Sequence, residues 1–180
     1  MKVTETKLPG VLIIEPTVHG DERGFFVETF QAERYRDLAG IDLPFVQDNH
    51  SRSRYGVLRG MHAQRAHPQG KLVRVARGEV FDVALDIDPD SATFGQWAGA
   101  ALSTTNGRQM WIPPGYAHGF VVLSEIADFE YKCTDYYHAD DEIGVLWNDP
   151  QAAIDWPIDD PILSDKDKAL PTLAELRARQ

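Results

Sequence analysis

An all-β architecture, a sandwich or barrel of many short strands with a few short peripheral helices, follows from three features of the 180-residue sequence. Apolar and polar residues alternate with a period of two through the middle of the chain. The segments are short and are divided by Gly, Pro, Asn and Asp turns. Runs with helical periodicity are confined to two places.

Val80 to Ile87 alternates, with Phe81, Val83, Leu85 and Ile87 on one face and Asp82, Ala84 and Asp86 on the other. Asp88-Pro89-Asp90-Ser91 then reads as a turn. Gln96 to Leu102 and Gln109 to Ile112 read as further strands, and Gly119 to Leu123 as a buried one because it is apolar throughout. Phe129 to Thr134 alternates again and sets Phe129, Tyr131 and Cys133 on a face that would point inward. Gln31 to Ala39 is the first predicted helix, ended near Gly40. Thr172 and Glu175 have capping-box spacing ahead of Leu176, which predicts a second, peripheral helix whose end could fray.

The length suits one domain spanning residues 1–180, and no repeat or linker divides it. Hydrophobic content of 43% excludes a disordered chain. No apolar run is long enough for a membrane helix, and Met1 to Pro9 lacks a signal-like apolar core, so a cytoplasmic protein is expected. A net charge of −10 argues against nucleic-acid and membrane-surface partners. Arginines at 23, 52, 54, 59, 74 and 77 nevertheless crowd the first half, compatible with a local anion site. Cys133 is the only cysteine. No activating motif surrounds it, so it reads as a buried structural thiol.

The chemistry concentrates between Gly56 and Gly78. Gly56, five residues, His62, one residue, Gln64, then Lys71, six residues and Gly78 has the spacing of the first metal-binding motif of cupin-type β-barrels. Gln64 stands in place of the second histidine and Lys71 in place of the glutamate. Gly107, five residues, Pro113, one residue, Gly115, two residues and His118 matches the second motif, with Val122 where an Asn often falls. His62 and His118, with His67 as a third candidate, could ligate a metal. Gln64 and Lys71 spoil the set, since an ammonium offers only donors and a positive charge. No metal and no cofactor is therefore expected. The same residues suit proton chemistry beside a ketone: His62 as base, Lys71 at the enolate oxygen, and Tyr131 as a phenol that returns a proton from the other face.

The full set of motifs resembles the dTDP-4-dehydrorhamnose 3,5-epimerase family over roughly Gly10 to Asp167. The matching segments are Asp21-Glu22-Arg23-Gly24-Phe25-Phe26, Gln47-Asp48-Asn49-His50-Ser51, Gly56-Val57-Leu58-Arg59-Gly60, Gly70-Lys71-Leu72-Val73-Arg74-Val75, Gly78-Glu79-Val80-Phe81-Asp82-Val83, Trp111-Ile112-Pro113, Ala117-His118-Gly119-Phe120, Tyr131-Lys132 and Trp147-Asn148-Asp149-Pro150. The resemblance implies a metal-free cupin-like jelly roll, a homodimer, and a dTDP-linked sugar as substrate. It implies His62 as general base with Asp167 as its carboxylate partner, Tyr131 as proton donor, and Lys71 beside the C4 carbonyl. It also implies ligand contacts for Arg23, Glu28, Gln47, Asn49, Arg59, His118, Glu142 and Lys166, with Arg23 and Glu28 reaching a neighbouring subunit's nucleotide. Ala63 departs from the large aromatic that relatives usually carry after the base, and the loop Arg65 to Gln69 also differs. Three alternatives stay open: epimerisation at one carbon only, a metal-dependent oxygenase or isomerase, and sugar-nucleotide binding without turnover.

Overall fold

Strand-forming residues pair into two large antiparallel sheets in the computed structural model, which describes residues 1–179. The strands are β1 (Lys2–Glu5), β2 (Leu12–Glu15), β3 (Val18–Asp21), β4 (Gly24–Val27), β5 (Gln47–Arg54), β6 (Leu58–Gln64), β7 (Lys71–Arg77), β8 (Glu79–Asp86), β9 (Trp97–Ser103), β10 (Gln109–Ile112), β11 (Tyr116–Val122), β12 (Ile126–Cys133) and β13 (Glu142–Gly144). Helices α1 (Ala32–Ala39), α2 (Asp165–Lys168) and α3 (Leu173–Ala178) lie around them. One sheet runs β1-β2-β10-β7-β12-β5 and the other β13-β6-β11-β8-β9; β3 and β4 form a separate hairpin. The result is an open jelly roll of the cupin type, the sandwich form of what the strand pattern predicts and the fold the family resemblance implies.

Between the sheets lies a core of Val73, Val75, Val80, Ala84, Leu102, Met110, Ile112, Phe120, Val122 and Phe129. Phe120 and Phe129 stack with centroids 4.0 Å apart. Each fully buried large apolar side chain contributes about 1.5–3 kcal/mol relative to exposure, so this stack firmly fixes the floor on which the cleft rests. A second core covers the outer face of the five-stranded sheet. There Val83, Leu85 and Ile87 of β8 and its exit pack with Val145, Ile154, Trp156, Leu173 and Leu176 from the C-terminal segment.

The two faces of β8 are thus both covered, and its two aspartates are kept from water: Asp82 is 0% and Asp86 3% exposed. Asp86 is satisfied by Ser91 Oγ at 2.6 Å, Thr93 Oγ1 at 2.5 Å and the Asp88 amide at 3.0 Å, which builds the predicted turn. The C-terminal segment is tied down by Leu58 N to Ile162 O at 3.0 Å and Leu146 N to Pro171 O at 2.8 Å. The carboxylate of Asp149 accepts from the amides of Gln151, Ala152 and Leu173. These anchors deliver α2 to β6.

Both predicted helices form. α1 has Gln31 as its N-cap and ends at Gly40, with φ of 67°. Both bonds of the capping box occur at Thr172 and Glu175. The last helix is peripheral but pinned, because Leu173 and Leu176 are buried. Two strand boundaries move outward from the predicted ones: β11 begins at Tyr116 and β12 at Ile126, where pairing with β8 and β5 continues past the apolar runs.

Candidate active site

His62 and His118 are direct partners across β6 and β11, so both imidazoles project from the same face of the five-stranded sheet. The opposite sheet supplies Lys71 at the start of β7 and Tyr131 on β12. All four line one cavity of 470 Å³ together with Ser51, Arg59, Phe120, Lys166 and Asp167, a volume suited to a small ligand. A 280 Å³ lobe adjoins it through His62, Lys71 and Tyr131, and is walled by Gln47, Asn49, Ala63, Gln64, Gln69, Tyr137 and Glu142.

The close approach of β6 to β11 depends on Gly60. Its φ is +124°, and a Cβ there would lie 2.6 Å from Gly119 Cα and 2.7 Å from His118 O. The ladder between these strands is irregular between His118 and Phe120, beside His62.

His62 Nε2 lies 2.5 Å from Asp167 Oδ1. Ser164 Oγ donates to the other carboxylate oxygen at 2.8 Å and caps α2 by accepting from the Asp167 amide. Burial works against the charged form of Asp167, but the bonds from His62 and Ser164 outweigh it and hold its carboxyl below the usual value. With Nε2 engaged, Nδ1 is the nitrogen of His62 left for a ligand. The Asp167 side chain is 6% exposed and that of His62 31%, so the carboxylate end is dry and the imidazole faces the cavity.

His118 is locked from below. Its Nε2 lies 2.6 and 3.0 Å from the two oxygens of Asp82, and its ring stacks on Phe129 at 5.9 Å. Burial pushes the Asp82 carboxyl up and the His118 imidazole down. Lys71 is 8% exposed. Burial lowers its pKa, while the fields of the Cys133 thiol, Asp82 and Glu142 act in the other direction. Burial raises the Tyr131 phenol above its usual value, so it remains protonated near neutral pH.

The remaining ligand-type residues divide clearly. Arg59 lines the larger cavity and donates to Ser53 Oγ at 3.0 Å. Glu142 lines the smaller lobe and is bound by Lys166 of the larger one at 2.5 Å and by the Tyr137 hydroxyl at 2.9 Å. Gln47 donates to Asn49 at 3.1 Å and accepts from the Tyr137 amide at 3.0 Å. Arg23 and Glu28 do not line either lobe. Arg23 pairs with Asp21 at 2.5 Å in the β3–β4 hairpin, and Glu28 pairs with Arg34. Arg52 and Arg74 are also engaged elsewhere, with Asp128 and Glu130, leaving Arg59 as the arginine in the cleft lining. A 340 Å³ hollow that shares Asn49 and Tyr131 with the lobes is lined by Asp48, Arg74, Glu130 and Lys132. Its charges pair with one another, which leaves it little chemistry.

The residues at the barrel's ligand positions do not fit a metal. Gln64 turns its amide to the backbone of His67, Tyr136 and His138. Lys71 brings a positive charge, and each histidine commits one nitrogen to a carboxylate. Sequence reasoning missed the roles of Asp82, Ser164 and Tyr137. Asp82 left a trace, since it falls between Phe81 and Val83 in the middle of β8.

Comparison with known proteins identifies the family. Residues 5–175 match the family model described as dTDP-4-dehydrorhamnose 3,5-epimerase. The enzyme of that name from Pseudomonas aeruginosa is 55% identical over 169 residues, 93% of each chain. That from Escherichia coli is 54% identical, covering 98% of this chain and 96% of its own. The crystal structure of the dTDP-6-deoxy-D-glucose-3,5-epimerase from Legionella pneumophila, in complex with dTDP-4-keto-L-rhamnose, is 57% identical and superposes with a TM-score of 0.93 over 97% of this chain and 96% of that one. The chain is an isomerase and belongs to the dTDP-4-dehydrorhamnose 3,5-epimerase family.

Proposed function

We propose that this protein inverts C3 and C5 of a dTDP-linked 4-keto-6-deoxyhexose by removing and returning protons beside the C4 ketone. One observation carries the reading: a carboxylate-buttressed imidazole and a phenol project from opposite sheets into one cavity that also holds an ammonium. Nδ1 of His62 takes the proton, and the C–H electron pair becomes an enolate. The resulting imidazolium is balanced by Asp167. Lys71 stabilises the enolate oxygen. Tyr131 delivers a proton to the opposite face and regains one from water, and the His62 imidazolium releases its proton to water, which restores both groups. No carbon changes oxidation state overall, so no redox cofactor is invoked.

Arg59 offers a planar fork for the diphosphate. Gln47, Asn49, His118, Glu142 and Lys166 serve as further ligand contacts. We read the protein as one domain acting as a cytoplasmic homodimer. In it the β3–β4 hairpin, with Phe25 and Phe26 exposed at 64% and 69%, docks on a second copy and brings Arg23 and Glu28 to the nucleotide there. A monomer by sedimentation at assay concentration would remove that part of the reading.

Ala63 supports a second reading, inversion at one carbon, because it leaves the smaller lobe wider than an aromatic would. Incubation with dTDP-4-keto-6-deoxyglucose in deuterated water separates the two. Deuterium is expected at both C3 and C5. Label at one carbon selects the second reading, and label at neither defeats both.

A further inference from the structure

Beyond the cleft, one cluster of ligating side chains joins two loops. His67 lies after β6, and Asp135 and His138 lie after β12. Their donor atoms all fall within 4.8 Å of one another. His67 Nδ1 is 3.7 Å from Asp135 Oδ2, and the two imidazoles stack with centroids 4.1 Å apart.

The chain around these residues is held in place. Gln64 Nε2 donates to the carbonyls of His67 at 2.7 Å and Tyr136 at 3.1 Å, and Gln64 Oε1 accepts from the His138 amide at 2.7 Å. Asp141 accepts from the His67 amide at 2.8 Å, and Gln69 donates to the Asp135 carbonyl at 2.8 Å. Backbone positions are therefore set by the fold, and only side-chain torsions are left to adjust.

We propose that His67, Asp135 and His138 bind a divalent transition-metal ion, Zn²⁺ by donor type, that clips the two loops together at the rim of the smaller lobe. Two imidazoles and one carboxylate suit a borderline ion, whereas calcium and magnesium favour all-oxygen sets. Zinc bonds of about 2.0–2.2 Å need donor atoms roughly 3.3 Å apart. The present spacing contracts to that by swinging the imidazoles out of their stack. The His67 and Asp135 side chains are 49% and 39% exposed, so the movement meets little packing. Water takes the fourth position. The clip acts on the cleft through Tyr137, which lies between two of the ligands in sequence and lines the smaller lobe.

Calorimetric titration of untagged, chelator-stripped protein with zinc chloride near neutral pH tests this. One Zn²⁺ per chain with a micromolar dissociation constant is expected, and His67→Ala and His138→Ala should each weaken it by about tenfold or more. Both variants should keep the metal-free melting temperature and basal activity. His62→Asn should leave the zinc stoichiometry at one, which separates this site from the cleft histidines. Cobalt should give the visible bands of a low-coordinate site, lost in His67→Ala. The proposal is overturned if no zinc binds below about 0.1 mM, or if the zinc equivalent survives the His67→Ala/His138→Ala double substitution.

Discussion

Replacing Asp167 by Asn removes one negative charge and almost no volume. The carboxylate is dry, with a side chain 6% exposed, and accepts at 2.5 Å from His62 and at 2.8 Å from Ser164. A hydrogen bond to a charged group is worth about 1.5–3 kcal/mol, and each 1.36 kcal/mol of barrier is tenfold in rate. That brackets the loss between about tenfold and about 150-fold, and the dryness of the carboxylate favours the upper half. A further loss arises if the amide nitrogen turns to His62, because Nε2 must then accept and the proton moves to Nδ1, the nitrogen needed as base. Steady-state kinetics should show the decrease in kcat with KM little changed, since Asp167 acts through His62. Acid unfolding supplies a second readout. The native pKa of Asp167 is lowered, so its stabilising contribution is complete above the ordinary Asp value of about 3.9 and is lost as pH falls through the lower native value. Asp167→Asn should therefore flatten that part of the stability–pH curve. Wild-type kcat, or a loss confined to KM, would refute the assignment of Asp167 to the imidazolium.

Three other substitutions bear on the same geometry. Tyr131→Phe should impair epimerisation while still allowing solvent exchange at the carbon acid, followed by deuterium incorporation; unchanged epimerisation would exclude Tyr131 as the essential donor. Lys71→Met should lower kcat by about 10²- to 10³-fold, the scale of losing one donor to a developing oxyanion, while raising the melting temperature, because it removes a desolvated ammonium from an 8%-exposed position. A melting temperature that falls with Lys71→Met would mean that the ammonium is a structural ion-pair member. Gly60→Ala should destabilise by about 2 kcal/mol or more, since the added Cβ meets Gly119 Cα at 2.6 Å; wild-type behaviour in denaturant would show that the two strands separate easily.

The fold was legible wherever a strand had an apolar face. β8, β10, β11 and β12 declared themselves because one or both faces meet a hydrophobic core. β5 did not, although it runs eight residues from Gln47 to Arg54. Its inward residues alternate in burial with its outward ones, but Gln47, Asn49 and Ser51 wall the cleft instead of a core. Hydrophobic periodicity is silent on a strand whose buried face is polar. α2, four residues long, is too short for any periodicity, and its place beside His62 is set by hydrogen bonds of the segment before it, such as Leu58 N to Ile162 O. The pairing of Asp167 with His62, 105 residues apart, could thus be inferred from family resemblance but not from local pattern.

The site was half legible for a related reason. Spacing alone picked out His62, Lys71 and His118, but it could not say how a buried ammonium is tolerated. The alternation in β8 put Asp82 on the face opposite Val83 and Leu85 without saying which face turns inward. The C-terminal segment takes the apolar face of β8 and turns Asp82 into the interior. There its carboxylate engages His118 directly and acts on Lys71 only through its field, together with Glu142. Among the described residues no carboxylate lies within ion-pair distance of the ammonium. That separation matters chemically: a Lys71 held in a tight pair would be neutralised before substrate arrived. With its counter-charges near but not touching, the ammonium keeps a free donor for an oxygen that becomes negative only during reaction.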